Sequence, residues 1–322
     1  MSLKEDVAEF LESNRDSFFS GEEIAEKFGV SRAAVWKAVK SLRLSGCEVE
    51  AVTNKGYRIK EPIDIITKSG VEKYLKTDNN IYLNVIPTVT STNTVLREKA
   101  QQGAPENTVV VASAQTDGRG RFGRHFSSPE GSGIYMSILL RPDMKAEQAA
   151  LITTAAAVAV CEAAENLSGR SCGIKWVNDV LADGKKICGI LTEASVNVES
   201  GTLDYAILGI GVNVYTPKNG FEEEIKDIAG SVFKEKGKDL KNKLTAEIIN
   251  RFSEYYLNIC QKTYLDSYRR HCVVFGKRIT VISQNRTESA LALGVDNDCR
   301  LLVRYDDGRE EYLSSGEIST KL

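Results

Sequence analysis

Three glycines and three guanidinium groups crowd into one short stretch, Gly118-Arg119-Gly120-Arg121-Phe122-Gly123-Arg124. Glycines let a backbone come close to a ligand, and arginines present rigid forks of donors that suit phosphate. The stretch satisfies G-x-G-x-x-G and follows an apolar run, Thr108–Ser113, as a dinucleotide fingerprint would. That fingerprint needs its last glycine to open a helix and an acid about 20 residues further on. Here Arg124-His125-Phe126-Ser127-Ser128-Pro129-Glu130-Gly131 follows, and its proline and turn residues oppose a helix. The dinucleotide reading is disfavoured, and the arginines suit a phosphate-bearing ligand of the adenylate kind. Taken alone, a solvated basic turn would look the same. No G-x-x-x-x-G-K-[ST] sequence occurs, so ATP chemistry here is not of the P-loop kind.

Three other stretches add to the loop. Ser91-Thr92-Asn93 opens a helix, with amides and hydroxyls available to a polar ligand. Lys175-Trp176-Val177-Asn178-Asp179 ends an apolar strand and sets a lysine beside an amide and an acid. Gly209-Ile210-Gly211-Val212-Asn213 alternates small residues along a buried strand, which leaves room against a sheet.

The elements that must position these residues fall into three segments of an α+β chain. Within 322 residues, 42% hydrophobic and 27% charged, there is length for two or three domains with cores of their own. The first segment, 1–62, reads as a winged helix-turn-helix. Ser20 caps Gly21–Phe28, Gly29 closes it, and Ser31 caps a second helix from Arg32 to about Ser45. A hairpin, Cys47–Thr53 and Tyr57–Ile59, turns at Asn54-Lys55-Gly56 as the wing. Residues 1–26 hold two basic residues against eight acidic, and residues 27–60 hold eight basic against two acidic. This local basic footprint favours DNA over a helical module that touches none. Ser31, Arg32, Lys37 and Lys40 are the expected recognition-helix contacts, with Lys55 and Arg58 on the wing, while Val35, Trp36, Val39 and Leu42 are expected in the core.

Glu61-Pro62-Ile63-Asp64 reads as a linker. The second segment, 65–271, offers strands at 81–86, 108–113, 133–140, 173–176, 186–193 and 204–214, and helices at 92–102, 147–167 and 240–260. Its strands do not alternate regularly with helices, so a central mixed sheet with helices is expected rather than a doubly wound one. The third segment, 272–322, reads as short strands at 278–282, 290–295, 301–305 and 310–313 forming a small barrel. No apolar run approaches the roughly 18 residues of a membrane span, and the polar N-terminus does not resemble a secretory signal. A cytoplasmic protein away from membranes is expected. Seven cysteines without C-x-x-C spacing, with only His125 and His271, predict reduced core thiols and no protein-borne metal site.

In order, S-T-N, Q-x-x-G-R-G-R-x-G-R, K-W-x-N-D, K-x-x-G-I-L-x-E and G-x-G-x-N resemble the motifs of the biotin–protein ligases (biotin–[acetyl-CoA-carboxylase] ligases). With the N-terminal module, the whole chain is similar to their bifunctional form, which doubles as the biotin operon repressor. Val177 stands where that family has proline, Phe122 where arginine is common and Phe126 where tryptophan is common. The resemblance implies a class II synthetase-like body and a C-terminal SH3-like barrel. It implies ATP and biotin as substrates, Mg²⁺, a biotin carboxyl carrier domain as acceptor, operator DNA and a ligand-promoted homodimer. Arg121 and Lys175 would neutralise charge as biotinyl-5′-AMP forms. Ser91, Thr92, Asn93, Gln115, Gly118, Arg119 and Gly120 would hold biotin, with Gly189, Gly209 and Gly211 leaving room for it. Asn178 and Asn213 would face the adenylate, the Gly-Arg loop would close over it, and Asp179 is a conceivable base for the second step. Two alternatives stand beside this reading: a lipoate- or octanoate-type transferase, and a ligand-sensing repressor without catalysis.

Overall fold

A computed structural model of the chain describes residues 3–15, 17–44, 47–59, 62–76, 80–283, 286–314 and 317–319. Ser45, expected to end the recognition helix, and Glu61, expected to open the linker, lie outside them. Helices α1 (Leu3–Ser13), α2 (Gly21–Phe28) and α3 (Arg32–Leu44) precede a hairpin of β1 (Val49–Val52) and β2 (Gly56–Ile59). Ser20 Oγ accepts from Glu23 N (3.1 Å) while Glu23 accepts from Ser20 N (2.6 Å), so two of the amides left over at the start of α2 are satisfied reciprocally. Ser31 Oγ accepts from Ala34 N (3.2 Å) at the start of α3. Val7, Leu11, Ile24, Val35, Val39, Leu42 and Ile59 form one buried core. Trp36 corrects the expectation: it is 54% exposed, with Lys40 Nζ 5.2 Å above its ring. Successive helical positions differ by about 100°, which turns residue 36 away from the face that Val35, Val39 and Leu42 bury.

The chain continues through α4 (Lys68–Glu72), β3 (Tyr82–Val89), α5 (Thr92–Gln101), β4 (Thr108–Gln115), β5 (Gly133–Leu140), α6 (Ala150–Ser168), β6 (Cys172–Lys175), β7 (Asp179–Ala182), β8 (Lys185–Val196), β9 (Leu203–Asn213), α7 (Leu240–Leu257) and α8 (Leu265–His271). Seven strands form one sheet in the order β3-β4-β5-β9-β8-β7-β6. Only β3 and β4, joined by the crossover helix α5, run parallel. This mixed sheet is the α+β arrangement expected from the strand spacing. Helix α6 is apolar on nearly every side because it is enclosed by β6–β8, α7 and α8. Among the described residues, the stretch Ala146–Ser168 is long and apolar enough for a membrane span, but 72% of its most apolar window is buried in the protein. It is a core helix. The short elements α4, α8 and β7 had no counterpart in the sequence reading.

The last strands, β10 (Arg278–Ser283), β11 (Arg286–Val295), β12 (Leu301–Tyr305), β13 (Glu310–Leu313) and β14 (Glu317–Ser319), form an antiparallel sheet in the order β13-β12-β11-β10-β14. Its inner residues Ile279, Ala290 and Leu301 belong to the same apolar core as the central sheet. Trp176 Nε1 donates to Cys299 O (2.9 Å), fastening the end of β6 to this sheet. The stretch between the N-terminal module and the body is also fastened. Asp64 accepts from Tyr215 OH and from Lys241 N (2.8 Å), and Lys241 Nζ donates to Gly131 O (2.5 Å). Glu12 accepts from Ile63 N (2.9 Å) on the other side.

Candidate functional site

Between β4 and β5 the glycine–arginine stretch is a small hairpin. Phe126 N donates to Gly118 O (2.9 Å) and Gly120 N to Arg124 O (2.7 Å), with a single 3₁₀ turn, Arg121–Gly123, at the tip. Phe122 and Gly123 take left-handed φ of 57° and 72°, and the Phe122 ring is exposed. No helix follows Gly123, which removes the dinucleotide reading on geometry. Arg121 Nη1 donates to Asn178 Oδ1 (2.9 Å) on the turn from β6 to β7, and Asn178 Nδ2 donates to Ile190 O (3.0 Å). The hairpin is thereby latched across the mouth of a cavity of about 500 Å³.

The loop brings Arg119, Gly120 and Arg121 to this cavity, β6 and its turn bring Lys175 and Asn178, and β8 and β9 bring Gly189, Gly209, Gly211 and Asn213. Thr92, Asn93 and Gln115 close the far wall. Their polar groups are engaged with one another: Thr92 N and Oγ1 donate to Gln115 Oε1 (2.9 and 3.2 Å), and Gln115 Nε2 donates to Ser128 Oγ (2.9 Å). Asn93 Nδ2 donates to Glu193 Oε2 (2.7 Å), and Ser137 Oγ lies 2.6 Å from Asn93 Oδ1. Ser91 and Gly118 stand behind the wall. Ser91 O accepts from Val95 N (3.1 Å) as α5 begins. A side chain at Gly118 would strike Ser128 Oγ (2.6 Å) and Phe126 O, so that glycine closes the hairpin.

The three floor glycines meet different side chains. A Cβ at Gly211 would meet the Phe126 ring at 2.5 Å, and one at Gly189 would meet it at 3.1 Å. A Cβ at Gly209 would collide with the Asn93 amide, so, as at Gly189 and Gly211, a protein side chain lies against a glycine that lines the cavity. Phe126 thus lies on a glycine shelf, edge-on to Tyr135 with ring centroids 6.4 Å apart. Burial pushes the Tyr135 phenol up, so it stays protonated and donates to Pro129 O (3.0 Å).

Two contributors escaped the sequence reading. Lys186, present in K-x-x-G-I-L-x-E, reaches the cavity and pairs with Asp179 (2.7 Å). This places a cation on the carboxylate considered as a base for the second step. The segment after β9 adds an apolar cover through Pro217, Phe221, Ile225 and Ile228. It is held by Lys186 N to Ile228 O (2.7 Å) and Gly230 N to Lys186 O (2.8 Å). Among the described lining residues, Arg119, Arg121, Arg124, Lys175 and Lys186 face the single carboxylate of Asp179. Such a wall accommodates an anionic ligand with an apolar portion.

On the N-terminal module, Ser31, Arg32, Lys37, Lys40 and Lys55 are exposed. Arg32 lies 3.8 Å from Glu22. Arg58 is drawn away from this set: it pairs with Glu50 (2.7 Å) and stacks 4.4 Å from the Phe18 ring.

Residues 85–213 match the biotin/lipoate A/B protein ligase family, residues 274–321 the biotin protein ligase C-terminal domain and residues 4–58 a helix-turn-helix domain. A biotin protein ligase from Aquifex aeolicus, solved in complex with biotin and ATP, superposes with a TM-score of 0.61 at 28% identity over 74% of this chain and 97% of that one. The class is that of the biotin/lipoate protein ligases. The chain is 35% identical to the bifunctional ligase/repressor BirA of Bacillus subtilis, covering 98% of both, and 26% identical to that of Escherichia coli, covering 94% of this chain and 93% of that one. The chain belongs to the bifunctional biotin ligase/repressor family.

Proposed function

We propose that the chain joins biotin and ATP into biotinyl-5′-AMP, transfers biotin to a lysine of a carboxyl carrier domain, and represses transcription as a ligand-promoted dimer on operator DNA. The observation that carries the enzymatic half is the latch from Arg121 to Asn178, which sets the glycine–arginine hairpin over the cavity that Lys175 enters. In the first step the biotin carboxylate attacks the α-phosphate, an acyl–phosphate bond forms and pyrophosphate leaves. Two anions meet, so Arg121 and Lys175 offset the charge that develops. Thr92, Asn93, Gln115 and the backbone of Arg119 and Gly120 hold the ureido ring, with Ser91 and Gly118 supporting them from behind. Asn213 and Asn178 face the adenylate. Mg²⁺ accompanying ATP would offset further phosphate charge, while Asp179 is paired with Lys186.

In the second step the acceptor amine attacks the acyl carbon and AMP leaves. The closed hairpin keeps water from the anhydride in the interval. We assign the units as 1–62, 65–271 and 272–322, and place the protein in the cytoplasm. Incubation with ATP, labelled biotin and a carboxyl carrier domain tests the reading, with lipoate and octanoate in parallel. Label on the carrier lysine from biotin alone is expected. Transfer of the other acids instead, or no adenylate at all, would overturn it.

A further inference from the structure

Away from the cavity, two helices bring metal-ligating side chains together. Cys161 and Glu165 lie one turn apart on α6, and His271 ends α8. One ligand atom from each lies within 4.8 Å of the others. Cys172, at the start of β6, turns its thiol to Arg170 O (3.7 Å), and its backbone N donates to Glu165 Oε1 (2.9 Å). The linear spacing of these residues shows no metal motif. The fold creates the cluster.

The histidine fixes the chemistry. His271 Nδ1 lies 2.8 Å from Ser267 O, and a carbonyl only accepts, so Nδ1 carries the hydrogen. Nε2 faces Glu165 Oε2 at 3.2 Å, where a ring proton or a bound cation would hold the two together. An imidazole oriented through its other nitrogen by a backbone carbonyl is how metal-ligating histidines are held. The remaining neighbours are themselves committed: Glu162 accepts from Ser267 Oγ (2.6 Å) and pairs with Arg251 (2.9 Å).

We propose that Cys161, Glu165 and His271 bind a zinc-like divalent ion. A thiolate, imidazole and carboxylate set suits a borderline-soft cation, whereas Mg²⁺ or Ca²⁺ would want oxygen alone. Bonds of about 2.0–2.3 Å to a common tetrahedral centre place donors roughly 3.5 Å apart, so small side-chain movements close the cluster. The ion displaces the Cys161 thiol proton to solvent. Side-chain exposure of 32% at Glu165 and 17% at His271 leaves a route in from the surface. The bound ion ties α6 to α8 where the chain leaves for the C-terminal sheet, a structural role distinct from ligation of biotin.

The test uses the full chain, stripped by chelator, kept reduced and titrated with Co²⁺. A thiolate-to-cobalt charge-transfer band in the near ultraviolet with visible d–d bands is expected, lost on adding equimolar Zn²⁺. Cys161→Ser and His271→Gln should both lose the bands while keeping the wild-type circular dichroism. Cys260→Ser, at an exposed thiol, should keep them. Zn²⁺ should raise the Tm of the wild type and leave that of His271→Gln unmoved. No cobalt band, or bands that survive in folded His271→Gln, would overturn the proposal.

Discussion

Arg121 is anchored by a neutral amide, so its removal should leave the fold intact and open the mouth of the cavity. Arg121→Ala is expected to slow adenylate formation by about 100-fold, the scale for losing one preorganised group that stabilises developing charge. It should also shorten the life of preformed biotinyl-AMP, followed as AMP release in the absence of acceptor; unchanged retention would dismiss the lid. Gly211 and Gly189 offer a graded comparison. A Cβ 2.5 Å from the Phe126 ring must move it, whereas one at 3.1 Å asks for a few tenths of an ångström. Gly211→Ala should therefore lower stability by about 1–3 kcal/mol and raise KM for ATP or biotin, with Gly189→Ala milder on both counts. At this scale the meeting of Arg121, Lys175 and Asn178 at one cavity was legible, because charged and amide side chains stand out against apolar strands. The side chains against the floor glycines were not: a glycine that receives Asn93 or Phe126 looks, in sequence, like one that receives a ligand. Phe126 on its shelf and Lys186 on Asp179 likewise depend on partners far along the chain.

Helix-scale behaviour can be read from Glu162 of α6, which joins Ser267 of α8 with Tyr255 and Arg251 of α7. Burial raises its carboxyl, but the hydroxyl bonds and the guanidinium outweigh burial and hold it below its ordinary value of 4.5. A depressed acid stabilises above its unfolded pKa and loses that contribution as pH falls through the folded one. Denaturant midpoints should therefore decline below about pH 4.5, and Glu162→Gln should flatten that acid limb; an identical limb in the variant would assign the decline elsewhere. At the start of α2, Ser20→Ala should cost about 1 kcal/mol in the N-terminal module. Long elements were legible: α5, α7, β5 and β9 fall within a few residues of expectation because their periodicity spans several turns or pleats. The five residues of α4 and the four of β7 are too short to show a period. They form because α7 and β8 pack or pair with them.

For the molecule as a whole, the exposed cations of α3 and the wing predict binding that weakens steeply with salt. Each phosphate contact removed, as in Lys37→Ala or Lys55→Ala, should reduce the log–log salt slope by about 1. In gel shifts, biotinyl-AMP should strengthen operator binding, and failure to do so would refute the repressor reading. The three-part order of the chain was plain in its sequence, since charge and periodicity change sharply along it. The shared core of sheet and C-terminal strands was not, because Trp176 and Cys299 meet only after folding. The fastening of Asp64 bears on where the protein can be cut. A chain trimmed to begin at Ile63 would part with Glu12 yet keep the carboxylate that steadies Tyr215 and Lys241, and through Lys241 the carbonyl of Gly131 just beyond the hairpin. One beginning at Ile66 would leave that tyrosine and that buried ammonium facing an empty seat. For anyone building a minimal biotinylating tool, the boundary that matters is thus a single aspartate wide, and it lies on the catalytic side of the linker.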